Sequence, residues 1–130
     1  MLDQFAIHAV IPAADLERAR AWYADKLDLH PRSQDPGGYW YRSGGQDFVI
    51  SHSQFAGTAQ TTAAEWTVKD LPALMARLRE RGIVFLEYDL PGIKTVNGMV
   101  ELGPFKGCWF KDSEGNILGL TEIAEGAAAG

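Results

Sequence analysis

The sequence repeats one pattern of elements at a spacing of 55 residues. Asp15 and Asp70 each precede a leucine, and each opens a stretch with the apolar periodicity of a helix. An aspartate at this position caps a helix, because its carboxylate accepts hydrogen bonds from the first free backbone amides. A β-prone run precedes each aspartate, over residues 5–11 and 62–68. The repeat therefore predicts two copies of a module that begins with a strand and continues with a helix.

Three further strand candidates follow each predicted helix. In the first half they cover residues 29–33, 38–42 and 46–52, and turns rich in glycine separate them. In the second half they cover residues 83–89, 98–103 running into 105–111, and 116–123. We expect the first strand of module one to stop at Pro12, because proline donates no hydrogen bond to a strand ladder.

These elements divide one domain into two modules. A chain of 130 residues is long enough to bury one core without disulfides or metal. We predict module one over residues 4–53, a linker over 54–61, module two over 62–124 and a frayed tail over 125–130.

The last two strand candidates are joined by the run Asp112-Ser113-Glu114-Gly115-Asn116. Asp112 and Asn116 have side chains that bond to nearby backbone, and Gly115 can adopt a positive φ. Apolar residues flank the run on both sides. It is therefore predicted to be a tight hairpin turn.

Composition excludes several classes of partner. The net charge is −5 and the basic residues are dispersed, which argues against nucleic acid as a partner. No apolar run approaches the roughly 20 residues that span a bilayer, so we expect no membrane association. The N-terminus has no signal-peptide pattern, and Cys108 has no second cysteine to pair with. We expect a cytoplasmic protein in which Cys108 is buried.

The tandem modules and the Asp112–Asn116 turn resemble the vicinal oxygen chelate superfamily. This superfamily contains glyoxalases, bleomycin resistance proteins, fosfomycin resistance enzymes and extradiol dioxygenases. His8, seven residues before Asp15, matches the family spacing, whereas the family often has proline at the position of Ser113. The resemblance implies an α+β fold of two tandem βαβββ modules. They would form a curved mixed sheet with helices on its convex side and a ligand cavity on its concave side.

The resemblance also implies where a metal would bind. Metal-using members place a histidine on the first strand of each module and a glutamate on the last strand. His8 matches the first of these positions, but the repeat places Ala63 at the second. The carboxylate position, four residues after Gly115, is Gly119. Neither alanine nor glycine has a side-chain lone pair, so we predict no bound metal and no cofactor.

Other side chains are candidate replacement ligands. Strand alternation places Glu65 and Thr67 on the face of Ala63, and Trp66 on the opposite, helix-packed face. We expect Glu65 to reach the cavity, and His52 to point inward together with Phe48 and Ile50. A displaced metal site of His8, His52 and Glu65 is an alternative. Glu122 shares the parity of Leu118 and Leu120, which should face the helices.

Aromatic residues favour a binding site, because their rings give large rigid contact areas and attract cations. Trp40 and Trp109 lie in strands where alternation directs neighbouring aromatics to opposite faces. The predicted ligand-binding residues are His8, Trp40, Phe48, His52, Glu65, Thr67 and Trp109.

Two functional classes follow. The first is a metal-free protein that sequesters a small aromatic or cationic molecule, as bleomycin resistance proteins do. The second is a lyase, isomerase or dioxygenase-like enzyme that uses a rearranged metal site or His8 and Glu65 as base and acid. A third interpretation is a filled cavity that leaves a structural or regulatory dimerisation module. Under each interpretation we expect a homodimer that covers the open sheet edges.

Overall fold

The computed structural model describes residues 1–124. A short 3₁₀ turn at Leu2–Gln4 precedes two helices and ten strands. The helices are α1 (Leu16–Leu27) and α2 (Leu71–Glu80). The strands are β1 (Ala9–Ala13), β2 (Ser33–Asp35), β3 (Gly38–Ser43), β4 (Gln46–His52), β5 (Thr62–Thr67), β6 (Asp89–Leu90), β7 (Ile93–Lys94), β8 (Val100–Leu102), β9 (Phe105–Lys111) and β10 (Ile117–Ile123). The predicted tail over 125–130 lies outside the described residues.

The two modules have the same strand order. One four-stranded sheet has the order β1-β4-β3-β2, and the other has the order β5-β10-β9-β8. In each sheet the first strand of the module is parallel to the last, and the other pairs are antiparallel. The α+β fold of tandem modules is confirmed. Among residues 1–124 no helix is long and apolar enough to cross a membrane.

Both helices begin where the sequence predicts. Asp15 accepts a hydrogen bond from the amide of Arg18 at 3.0 Å, and Asp70 accepts one from Ala73 at 3.4 Å. A glutamate from module two adds a second acceptor at each helix start. Glu114 accepts from the amide of Asp15 at 2.9 Å, and Glu122 accepts from the amides of Asp70 and Leu71 at 3.0 Å. Glu122 therefore lies on the helix side of β10, as its parity predicts.

The hydrophobic core lies between the helices and the sheets. Its largest fully buried side chains are aromatic and aliphatic residues from both modules: Tyr23, Tyr41, Phe110, Ile11, Ile50, Leu71, Met75 and Leu118. In β5 and just after it, Ala64, Trp66 and Val68 pack against this core, whereas Glu65 and Thr67 are exposed. The predicted alternation of β5 is confirmed.

The Asp112–Asn116 turn connects the two modules. The buried carboxylate of Asp112 accepts hydrogen bonds from the Tyr23 hydroxyl at 2.6 Å and from the Asn116 side chain at 2.9 Å. It also accepts from the amides of Glu114 and Asn116. The Asn116 amide group donates to the carbonyl of Pro12 at 2.7 Å. The predicted hairpin turn thus binds both the helix and the first strand of module one.

The first strand differs from its prediction. It runs from Ala9 to Ala13 and includes Pro12, where the sequence predicted that it would stop. Within the described residues β1 has one ladder partner, β4, so its other edge is unpaired. Proline is tolerated on such an edge strand, because its missing N–H removes no ladder bond.

The strand predicted over residues 83–89 is also different. The structure has a single bridge from Phe85 to Phe110, followed by the short hairpin of β6 and β7. Pro91 and Gly92 form the turn of this hairpin, and Gly92 has a φ of 83°. A Pro-Gly pair is a turn signal, since proline sets the first turn residue and glycine takes the positive φ of the second.

We expect Glu114→Gln to reduce the free energy of unfolding by about 2 kcal/mol, because Arg18 and the Asp15 amide lose a charged acceptor. The Arg18 Nε lies 2.8 Å from the Glu114 carboxylate, whose side chain is fully buried. The hydrogen bond from Arg18, followed by those from the Asp15 amide and the Ser113 hydroxyl, lowers the pKa of Glu114 from 4.5 to about 2. Urea unfolding over a pH series would measure both effects.

The direction of the pH effect follows from proton linkage. Because the folded pKa lies below the unfolded one, the unfolded chain binds more protons between about pH 4.5 and about pH 2. The contribution of Glu114 to stability is present above this window and is lost as the pH falls through it. Glu80→Gln, at an exposed glutamate of α2, is the control and should keep the wild-type pH dependence. If Glu114→Gln had the same pH dependence of stability as the wild type, the lowered pKa would not belong to Glu114.

Candidate functional site

The outer strands β1 and β5 of the two sheets lie against each other. Between them is a groove with a volume of about 660 Å³, which we call the seam groove. The β3–β4 turn closes one end of it. The seam groove is lined by Ile7, His8, Ala9, Ile11, Ser43, Gly44, Gln46, Asp47, Phe48, Ala64, Glu65, Trp66 and Thr67.

Four of the seven predicted ligand-binding residues line this groove. They are His8, Phe48, Glu65 and Thr67. His8 lies just before β1 and is exposed. Its ring packs on Trp40, with ring centroids 4.7 Å apart. Trp40 therefore supports His8 from the side and is absent from the groove lining.

Phe48 borders the groove, whereas His52 lies away from it. Phe48 is 8% exposed and stacks on Tyr41, with ring centroids 5.0 Å apart, so only its edge reaches the groove. Phe48 and Ile50 belong to the core beneath the helices. The β1–β4 register pairs Ala9 with Phe48 and Ala13 with His52. His52 thus lies at the far end of β4, about 13 Å along the strand from the groove.

Glu65 lies directly beside Gly119. The β5–β10 register pairs the two residues. A Cβ atom built on Gly119 would lie 3.3 Å from the Glu65 carboxylate and 3.4 Å from the Trp109 ring. Thr121 donates a hydrogen bond to the Glu65 carboxylate at 3.4 Å. Gly119 therefore leaves room for two side chains from the neighbouring strands, and Glu65 places a carboxylate one strand away from position 119.

The metal that the resemblance implies does not fit these residues. Ala63 and Gly119 offer no side-chain donor at two of the three expected positions. The alternative set of His8, His52 and Glu65 is not assembled, because His8 lies near one end of the β1–β4 ladder and His52 lies at the other. Within residues 1–124, no three His, Cys, Asp or Glu side chains come together in a group able to hold a metal ion.

Asp47 is an acidic groove residue that the sequence analysis missed. It accepts a hydrogen bond from Arg42 Nε at 2.8 Å, and Arg32 lies 3.5 Å away. The hydrogen bond from Arg42 holds the pKa of Asp47 below its usual range, and the nearby Arg32 and His8 lower it further. Asp47 is therefore ionised at neutral pH. The sequence does place an acidic residue just after the turn between β3 and β4. Its position on the groove could not be predicted, because the groove forms only where β5 approaches.

Trp109 forms a second aromatic surface outside the seam groove. Its ring meets Tyr88 edge to face, with centroids 5.3 Å apart. It also contacts the space above Gly119, beside Glu65. Glu65 thus has the groove on one side and an aromatic pair on the other.

Comparison with known proteins gives one family. A family model described as the Glyoxalase/Bleomycin resistance protein/Dioxygenase superfamily matches residues 6–119. No protein in the curated set matches the sequence.

Solved structures with this fold share little sequence with the chain. A glyoxalase/bleomycin resistance protein/dioxygenase from Nocardioides is 18% identical, with a TM-score of 0.68 over 97% of this chain and 88% of that one. Another from Alicyclobacillus acidocaldarius is 21% identical, with a TM-score of 0.68 over 92% and 91%. A fosfomycin resistance protein from Listeria monocytogenes is 10% identical, with a TM-score of 0.66 over 93% and 94%. These similarities show the fold.

We expect Gly119→Ala to lower the free energy of unfolding by about 1 kcal/mol, because the new methyl group crowds Glu65 and Trp109. Gly119→Ala made in the Glu65→Ala background should cost less, since the Glu65 carboxylate is gone and only the Cβ of residue 65 and the Trp109 ring remain close. Chemical denaturation of the single and double variants gives the coupling energy.

Gly107→Ala is the matched control in the adjacent strand. A Cβ there meets no atom closer than 3.5 Å, so we expect no loss of stability and no coupling to Glu65→Ala. Additive effects of Gly119→Ala and Glu65→Ala would show that Glu65 does not occupy this space.

Proposed function

Because this chain belongs to the Glyoxalase/Bleomycin resistance protein/Dioxygenase superfamily, we propose that its seam groove binds a small cationic or planar molecule without a chelated metal. The supporting observation is the position of the Glu65 carboxylate, which lies beside Gly119. The carboxylate thus comes from β5, and position 119 itself has no side chain. A carboxylate without partner ligands attracts a cation by charge and hydrogen bonding but does not complete a three-point chelate.

The size and lining of the groove support a small organic ligand. Its volume of about 660 Å³ falls within the range of small-molecule sites, roughly 300–1,000 Å³. Phe48 and Trp66 contribute aromatic edges, and Trp66 is held by a hydrogen bond from its ring N–H to Ser43 at 3.0 Å. Gln46 and Thr67 add neutral polar groups that fix orientation. A flat ligand with one polar end suits this arrangement.

Charge supports a cationic ligand. Asp47 and Glu65 contribute acids from opposite walls of the groove, and the chain as a whole carries a net charge of −5. Asp47 already pairs with Arg42, so Glu65 is the acid with an open position for a ligand cation. A negative groove raises the local concentration of cations.

We expect planar aromatic cations to quench tryptophan fluorescence saturably, since Trp66 lines the groove. Glu65→Gln should weaken their binding about tenfold, because a charged hydrogen bond is worth about 1.4 kcal/mol more than the neutral one. Neutral analogues of the same shape should bind Glu65→Gln almost as tightly as they bind the wild-type protein. Glu80→Gln, which removes the same charge from α2, is the matched control.

Failure of every member of a broad ligand panel to give saturable quenching would contradict the proposal.

The enzyme alternative is favoured by one observation, that His8 and Glu65 line the same groove. Elemental analysis of protein purified without chelators separates the two. Stoichiometric zinc, nickel, manganese or iron that is lost in His8→Ala would support the enzyme and overturn the metal-free proposal.

We also propose that the protein is a homodimer. Phe5, Ile7 and Val10, at and just before β1, are 68%, 89% and 59% exposed. Val10 belongs to the sheet face opposite the core. Exposed apolar residues grouped on one face typify a surface that a second copy covers.

We expect analytical ultracentrifugation to show a dimer at micromolar concentration. Val10→Asp should raise the dissociation constant of this dimer about tenfold or more. The reason is that a buried unpaired carboxylate is strongly unfavourable. Val84→Asp, at a valine that is 81% exposed in module two, is the control. A monomeric wild-type protein, or equal effects of both substitutions, would contradict a dimer through β1.

A further inference from the structure

A second cavity lies on the helix side of the sheets, between the C-terminal halves of α1 and α2. Its volume is about 300 Å³. Trp66 and Ser43 line both this cavity and the seam groove, so they form a wall shared by the two. We call it the helix-side cavity. The metal positions and the acidic groove residues are absent from its lining.

Most of the lining of this cavity is apolar. Leucines come from both helices, including Leu27 from α1 and Leu74 and Leu78 from α2. Phe110 and Leu120 come from the sheet beneath. If each non-hydrogen atom takes about the 30 Å³ of a water molecule, the cavity holds a ligand of about ten such atoms. An apolar body of that size would displace water from these side chains.

The mouth of the cavity is cationic, although the chain is acidic overall. Lys26, Arg77 and Arg81 stand there with one carboxylate, Asp28. Arg81 pairs with Asp28 at 2.8 Å, and Lys26 donates to the Arg81 carbonyl at 2.5 Å. These two cations therefore hold the ends of the helices together.

Arg77 has no such partner. Among residues 1–124 its guanidinium makes neither a hydrogen bond nor an ion pair. It lies one helical turn after Leu74, on the face that lines the cavity. A guanidinium beside an apolar cavity matches a carboxylate, which it binds through two parallel hydrogen bonds.

We propose that the helix-side cavity binds an apolar monocarboxylate, with the ligand carboxylate on Arg77 and its hydrocarbon body among the leucines and Phe110. A single negative charge is favoured over a dianion such as a phosphate monoester. Among the described residues at the mouth, Arg77 is the one arginine without a hydrogen bond or ion pair, and the carboxylate of Asp28 at the same mouth repels additional negative charge. This site is separate from the seam groove and does not depend on the function proposed for it.

Octanoate is a suitable probe, since it has one carboxylate and about ten non-hydrogen atoms. We expect isothermal titration calorimetry to show saturable binding of octanoate at one site per chain. Octanamide has the same shape without the charge, so it should bind at least about tenfold more weakly. Equal binding of both compounds, or no binding of octanoate, would overturn the proposal.

Two substitutions test the position of the carboxylate. Arg77→Ala should weaken octanoate binding at least about tenfold. Leu74→Glu should abolish it, because the new carboxylate lies one turn from Arg77 and occupies its guanidinium. Both positions are incompletely buried, so the variants should retain the wild-type circular dichroism spectrum.

Arg20→Ala is the matched control, since it removes the same charge from an exposed position on α1 outside the cavity. It should bind octanoate as the wild type does. Glu65→Gln should also leave octanoate binding unchanged, which keeps this test apart from that of the seam groove. Equal weakening in Arg20→Ala and Arg77→Ala would show a general charge effect and would refute a site at Arg77.

Discussion

The buried carboxylate of Asp112 is the interaction on which the arrangement of the two modules depends. A buried charge is unfavourable unless hydrogen bonds replace its water, and this one accepts from Tyr23, from two turn amides and from the Asn116 side chain. Burial, and then the charge of Asp112, raise the pKa of Tyr23, so the phenol remains a donor. Because Asn116 also donates to Pro12, one turn of module two holds both the helix and the first strand of module one.

The groove geometry follows from this attachment. The turn fixes β10, β10 pairs with β5, and β5 lies against β1, so the seam groove forms between strands that are distant in the chain. The linker adds to this constraint. A Cβ built on Gly57 would lie 2.4 Å from the Glu114 carbonyl, so the linker backbone packs closely on the turn. A side chain at this position would push the linker away from the turn.

The chemistry proposed for the groove depends on which of two adjacent strands, β5 or β10, carries the carboxylate. Position 119 has no side chain, and Glu65 on β5 fills the adjoining space. A carboxylate is kept, but its position relative to His8 and to the missing donor at Ala63 no longer defines a three-point chelate. The same open space accommodates Trp109, which places an aromatic ring beside the acid. The proposal of an organic cation as the ligand rests on this pairing of a carboxylate with an aromatic ring.

The sequence by itself determined the features that depend on neighbouring residues. Asp15 and Asp70 cap helices because each carboxylate reaches an amide three residues away, and the alternation of β5 follows from the pleat of a strand. Tertiary structure decided the rest. The pairing of Glu65 with Gly119, the separation of His8 from His52 and the position of Asp47 on the groove all depend on strand register and on the approach of β1 to β5. Contacts between distant strands carry no local periodicity, so only the folded chain defines them.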